Sequence, residues 1–469
     1  MADPGGTKAR TRLPKGAVMT FLVLLVLGGF NFADQGILIP FYDQVQKEFG
    51  LSQTAVGVIG SSFIAVVGVV MVLWGFFADK YSRKKLLLFG AFLWSITAYA
   101  VTWVRTYEEL LLVRTLGGIG IGSFFPVAFS MTADLFGPGQ RGKAAAWLNM
   151  LPAVGAVGGG VVAVIYGELY GWRYPFQIVG LGGLVATAVF WFLMKEPARA
   201  QTEPEFEELI GRGEAYAYRV KLSDWKILYR EKANLFLILQ GIPGTVPWGV
   251  LLTWAIFYLK DQKGFPTIFA FGFLAGFLFG ALVGNIIGGY LGDRLARKGI
   301  QRRVPLCVLG ILGGMALIVF ILWRDIPPLP PGMFTGDFSE IPRFAQFMWE
   351  RWEYGIPFNL FILASALATL TGPNWFAIMQ DINLPEIRGS VSGVNNVMSQ
   401  VGSGLGPLLG GLLADALGLR MGIIIASLFW VGCAAFWLPL WWHLPRAEKR
   451  VRETLGARAR GEGETEKSG

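Results

Sequence analysis

GFFADKYSRKK, residues 75–85, is a short charged segment set between two long apolar runs. Its opening pattern returns as GYLGDR at 289–294, 214 residues downstream and again after an apolar run. A basic cluster this dense has no place inside hydrocarbon, so each copy marks a turn between two buried segments. A turn that recurs at long range also says that the chain repeats itself.

Outward from these turns the chain reads as a series of apolar windows. Of 469 residues 54% are hydrophobic and 16% charged, where a soluble domain carries about 25% charge. Windows of about 20 residues, enough to cross about 30 Å of hydrocarbon, are expected at 16–38, 55–78, 84–104, 109–132, 143–167, 173–194, 233–259, 267–291, 304–323, 354–378, 390–414 and 421–442. The expected fold class is therefore an all-α membrane protein with twelve transmembrane helices in two six-helix pseudo-repeats.

Charge sets the expected orientation. With both termini cytoplasmic, the cytoplasmic loops and tails hold 31 of the 41 Lys and Arg, since nine fall in outer loops and Arg114 lies within a span. This is the positive-inside pattern. It accounts for the net charge of +9 without a nucleic-acid partner and predicts a multi-pass protein of the cell (inner) membrane. The domains follow: a cytoplasmic tail (1–15), a first bundle (16–194), a cytoplasmic linker (195–232), a second bundle (233–442) and a cytoplasmic tail (443–469). The linker holds eight basic and eight acidic residues. Its end, Ser223–Arg230, reads as a short amphipathic helix with Ser223 as N-cap. Cys307 and Cys433 both fall in apolar spans and give neither a disulfide framework nor metal spacing.

The repeat extends beyond the opening motif. Asp134 precedes Arg141-Gly142 by seven residues, and Asp381 precedes Arg388-Gly389 by the same seven. Gly155 and Gly402 each lie fourteen beyond those arginines, at an offset of 247. The 33-residue difference between the two offsets falls in an outer loop before span 10. Two halves of six spans in the same orientation are parallel repeats about an axis along the membrane normal.

Twelve spans, the 6+6 repeat, a central loop and GFFADKYSRKK resemble the major facilitator superfamily over residues 16–442. Gly75, Asp79, Lys80, Arg83 and Lys84 fill its loop signature, Asp293 and Arg294 fill the second copy, and Arg114, Gly118 and Gly122 its span-4 motif. Within it, NFADQ, ADLFGPGQRGKAAAW, WKILYREKANLFL and WAIFYL resemble the spinster branch, which moves sphingolipids and lysophospholipids. Gln35 and Ile121 depart from that branch's usual arginine and glutamate. The resemblance implies alternating access and a gating role for the loop residues, with Arg141 and Arg388. It implies that Asp79 meets the positive N-terminal end of span 11. Arg83, Lys84 and Lys85 are also expected to pair with lipid phosphates.

The candidate site starts from Asp34 in FNFADQGILIP, residues 30–40. A carboxylate deep in an apolar run is by default a functional-site residue. At 1.5 Å per residue, Asp34 lies roughly 27 Å along span 1 and Arg114 roughly 8 Å below the outer surface, which are similar depths in a core about 30 Å thick. A pair between them offsets part of the desolvation of both charges. Asn31, Asp34, Gln35 and Leu38 share a helical face, expected to face a wet cavity. Asn31, Asp34, Gln35 and Arg114 are therefore the candidate substrate and proton-coupling residues, the alternative being a structural ion pair. Cavity candidates are Asn149, Gln240, Trp248, Asn374, Trp375, Asn396 and Gln400, several of them beside the breakers Pro243, Pro247 and Gly372-Pro373.

These features point to a secondary transporter, proton-coupled and monomeric, for an amphipathic or lipid-like substrate. Alternatives are efflux of hydrophobic drugs, uptake of small organic anions, and a non-transporting sensor. No cofactor is expected, since no phosphate-binding G-x-x-x-x-G-K-[ST] loop is present. His443 is the one histidine and sits apart from any carboxylate cluster, which argues against an enzyme.

Overall fold

The computed structural model describes residues 16–136, 138–197, 230–384 and 387–459. Among them are twelve helices long and apolar enough to cross a membrane. Spans 1 to 6 are Ala17–Phe49, Gln53–Ala78, Arg83–Trp103, Tyr107–Thr132, Met150–Tyr170 and Tyr174–Leu193. Spans 7 to 12 are Lys232–Gln262, Thr267–Ala296, Ile300–Arg324, Trp352–Asp381, Val391–Leu417 and Leu419–Trp437. No strand occurs among the described residues. Each span reverses the direction of the last, so the turns alternate between two faces. The face with both ends of the described chain is here the terminal face, and the other the far face. The expected linker helix lies outside the described residues apart from Arg230.

Small residues let the spans cross closely, as membrane helices require in the absence of a hydrophobic force between them. A Cβ added at Gly159 of span 5 would lie 2.0 Å from Ala33 O of span 1. At the place 247 residues on, a Cβ at Gly406 of span 11 would lie 2.7 Å from Gly249 Cα of span 7. Gly155 and Gly402 repeat the relation against Phe32 and Ile242. The sequence repeat is thus a repeat of helix contacts.

Breaks in the spans have local causes. The helices Lys232–Leu239 and Gly241–Phe257 of span 7 meet at Gln240, three residues before Pro243. Those of span 10, Trp352–Thr369 and Thr371–Asp381, meet at Leu370, three before Pro373. In each case the proline has no N–H for the carbonyl four residues back, and its ring crowds that carbonyl. Span 1 breaks at Leu38 before a 3₁₀ turn, Ile39–Phe41, that holds Pro40.

The far-face segment 324–353, read from sequence as a loop, is a folded cap. It carries the amphipathic helix Ile341–Glu350, whose Phe344 stacks on Phe269 of span 8 at 3.9 Å. Phe347 packs on Tyr354 at 4.9 Å. Asp325, at φ 62°, anchors the start of the cap to Lys263 (2.6 Å) and Arg420 (3.4 Å).

The two halves meet mainly through spans 2 and 11. At the far face they touch backbone to backbone: a Cβ at Gly57 would lie 2.4 Å from Pro407 O, and one at Gly411 2.5 Å from Gln53 O. Lys260 of span 7 also reaches across to Asp43 (2.8 Å) and Pro40 O (2.7 Å). Toward the terminal face the two spans part, and a cleft lies between the halves.

Candidate functional site

The cleft has a volume of about 700 Å³. Met71 and Val72 of span 2 and Phe125 and Phe129 of span 4 form one apolar wall. Span 11 forms the other with Val394, Asn396, Val397 and Gln400. Asn396 and Gln400 are one helical turn apart and so present their amides together, which gives the cleft one polar stripe on an otherwise apolar lining.

A second chamber of about 270 Å³ lies inside the second half and adjoins the cleft, since Ser399 lines both. It brings together Gln240, Trp248 and Trp375 from the sequence candidates with Trp430, Thr245 and Asn285. Gln240 lies at the break of span 7, where it donates to Leu237 O (3.1 Å) and accepts from Cys433 Sγ (3.3 Å). Trp248 packs against Phe277 at 4.9 Å and Trp430 at 6.3 Å. Trp430 Nε1 donates to Gly244 O (2.9 Å), a carbonyl near the two prolines. Thr245, Asn285 and Trp430 were missed in the sequence because they come from three different spans.

Asn374 does not line this chamber. It is 1% exposed and donates to Gly288 O (2.9 Å) of span 8 and to Leu370 O (2.8 Å) across the break of span 10. It clamps a kinked helix to its neighbour.

Asp34 and Arg114 are brought together: Arg114 Nη1 donates to Asp34 Oδ2 at 2.9 Å, with side chains 3% and 6% exposed. The pair was expected to face a wet cavity; neither side chain is among those lining the cleft. The pair lies within the first half, with the guanidinium carbon 4.5 Å from the Phe63 ring centroid and 5.3 Å from that of Phe176. The aromatic faces take over part of the charge stabilisation that water would supply. Asp34 Oδ1, Arg114 Nε and Asn31 Oδ1 are buried without a hydrogen-bond partner, and such groups are costly in a low-dielectric interior. Gln35 is half-buried on the same helix.

Among the gating residues, Arg83 corrects an expectation. It is not free for lipid phosphates: it is 2% exposed and pairs with Asp134 and Glu196. It also donates to Pro197 O (2.8 Å) and Ser130 Oγ (3.3 Å). This arginine ties the start of span 3 to span 4 and to the chain after span 6. Lys84 is half-buried, its ammonium 5.9 Å from the Trp191 ring. Lys80 is exposed over Phe76 at 4.1 Å, and Gly75 is half-buried. In the second half Arg303 at the start of span 9 is buried and pairs with Asp293 at 2.9 Å, while Arg294 is exposed. The described side chains do not include those of Asp79, Arg141, Asn149 and Arg388.

Two like-built six-span halves around a cleft closed at one face define a polytopic membrane carrier. The model of the Major Facilitator Superfamily matches residues 24–334, and the chain belongs to that family, whose members are transporters. The hexuronate transporter of Bacillus subtilis is 25% identical over 430 residues, 88% of this chain and 92% of that protein. Protein spinster of Drosophila melanogaster is 25% identical over 235 residues, 49% of this chain and 37% of that one. The crystal structure of a bacterial homolog of the human lysosomal transporter spinster, inward-facing and unoccupied, has a TM-score of 0.77. It is 18% identical, with 92% of this chain and 98% of that one covered.

Proposed function

We propose that this chain is a secondary transporter that moves an amphipathic, lipid-like substrate by alternating access, with protonation of Asp34 as the coupling step. The cleft carries the reading. Its apolar walls suit a hydrocarbon portion, and the Asn396–Gln400 stripe suits a polar head. The adjoining tryptophan-lined chamber offers room for a second part of the same molecule. The sequence likeness to spinster supports the substrate class. With the terminal face cytoplasmic, the orientation the charge distribution favours, the cleft faces inward. The protein acts as a monomer, each copy enclosing its own cleft.

Coupling follows from the incomplete satisfaction of the Asp34–Arg114 pair. A proton on Asp34 Oδ1, an atom without a partner, neutralises the carboxylate and releases Arg114. Release loosens span 1 from span 4 within the first half and biases the rocking of that half.

The match to the hexuronate transporter over nearly its whole length favours a second reading, a permease for a small organic anion. One experiment separates the two. A Cβ at Gly393, which lines the cleft, meets nothing within 4 Å, so the backbone there accepts a side chain and Gly393→Phe adds bulk at the cleft wall. Purified wild type and this variant are melted with lysophospholipid, sphingoid phosphate, a hydrophobic cation or hexuronate. A ligand at 100 times its Kd stabilises the folded state by about 2.7 kcal/mol. The amphipathic reading expects stabilisation by a lysolipid that Gly393→Phe removes. Stabilisation by hexuronate alone contradicts it.

A further inference from the structure

We propose that Asp415 and Glu168 are paired latches that close the far face, one in each half, related by the internal repeat. Asp415, near the end of span 11, reaches across to the start of span 2. Its Oδ1 accepts from Gln53 N (3.0 Å), and its Oδ2 from Thr54 N (2.8 Å) and Thr54 Oγ1 (2.5 Å). Glu168, at the end of span 5, reaches across in the other direction to the start of span 8, where its Oε1 accepts from Thr267 Oγ1.

The two contacts are alike in architecture, with the carboxylates at repeat-equivalent positions and the threonines 213 residues apart, one short of the offset of the loop motifs. Glu168 and Asp415 are 247 residues apart, the same offset that separates Gly155 from Gly402 and Arg141 from Arg388. Thr54 and Thr267 each stand at the first or second residue of the helix that opens their span. In both, a carboxylate from one half meets a threonine at the N-terminal end of a helix from the other half. That end carries unsatisfied N–H groups and a partial positive charge, which favours an anion. Among the described residues neither carboxylate makes a hydrogen bond or ion pair within its own half.

Close packing surrounds the first latch, with Gly57 and Gly411 allowing backbone contact between spans 2 and 11. It loosens on the other side of the membrane, where the same spans border the cleft. Opening the far face therefore requires both carboxylates to leave their helix ends. The inference rests on the alternating-access reading, in which such an opening is an obligatory step.

The test uses two pairs of spin labels on the full chain in nanodiscs. Exposed Glu108 and Ser339, replaced by Cys, report the far-face distance; exposed Lys85 and Lys298 report the terminal face. Native Cys307 and Cys433 are buried. Each pair is measured in the wild type, Asp415→Asn, Glu168→Gln and the double variant. Hydrogen bonds to a charged group are stronger than neutral ones, so each single variant should raise the far-open to far-closed ratio by about 5- to 30-fold, and the double variant further. Should either carboxylate variant not fold, Thr54→Val and Thr267→Val remove a hydroxyl donor each and shift the ratio the same way. An unchanged far-face distance in every folded variant overturns the latch. A longer far-face distance with no shortening at the terminal face supports the latch and contradicts alternating access. Both changes together support both.

Discussion

Two buried arginines, Arg83 and Arg114, show how differently a charge can be held in an apolar chain. Arg114 has one carboxylate and two aromatic faces. Arg83 has two carboxylates, a hydroxyl and two carbonyls. Removing one partner of a buried pair costs about 3–5 kcal/mol because the other charge is left uncompensated. Arg114→Ala should therefore lower thermal stability strongly, and the double change with Asp34→Asn should recover part of it. A double-mutant cycle on melting measures the recovery. Arg83→Ala should destabilise by a similar amount. Lys84→Ala, one residue on and half-buried, should stay within about 0.5 kcal/mol. The Asp34–Arg114 pair was legible in the sequence because both charges stand alone in apolar runs at matching depth. The partners of Arg83 were not, because a basic residue in a charged turn reads as solvated. Its burial depends on Glu196, more than a hundred residues away. Arg303 carried the same hidden signal, a basic residue at the first turn of an apolar run.

Among elements, the glycine faces make a sharp contrast. Gly159→Val places side-chain atoms where Ala33 O already lies, and overpacking of this kind costs about 1–3 kcal/mol. Its neighbour Gly158 meets nothing within 4 Å, so Gly158→Ala should stabilise by about 0.5–1 kcal/mol through helix propensity. Melting of the two variants beside wild type checks both signs. The far-face cap gives a pH prediction. Burial raises the affinity of Asp325 for protons, but the bonds from Lys263 and Tyr258 outweigh it and hold the carboxyl below the usual range. A depressed folded value means that the stabilisation is fully present above the unfolded value, near 3.9, and is lost as pH falls through the folded one. Asp325→Asn tolerates the positive φ and loses the charge. It should cost under about 1 kcal/mol at pH 7, since the carboxylate is partly screened by solvent, and less as pH falls through the folded value. Thermal melts across that range read the difference. Span count and the proline breaks were legible from apolar length and Pro243 and Pro373. The cap helix was not, because its four aromatic and Met residues lie among Pro, Gln and charged positions over only ten residues and gain their packing from Phe269 in another span.

For the whole molecule, the repeat organises both the packing and the seam. The offset of 247 was visible in Arg141, Arg388 and the glycines, and it runs on to Glu168 and Asp415. Those two acids read as ordinary loop-edge charges until the fold sets each against the opposite half. The cleft itself was half legible: Asn396 and Gln400 announce a polar face on span 11. The opposing wall of Phe125 and Phe129 looks like plain core in the sequence, since only the divergence of spans 2 and 11 exposes it. Those walls and the incompletely satisfied pair lead to one claim, that an amphipathic molecule crosses through this cleft and that a proton on Asp34 drives it. Flux of a labelled lysophospholipid in proteoliposomes, with and without an imposed pH gradient, tests that claim most directly. Wild type should carry the lipid faster with the gradient, and Asp34→Asn should carry it at one rate regardless of the gradient. No lipid flux in wild type alongside saturable hexuronate uptake, or a gradient response that survives in Asp34→Asn, would contradict the account.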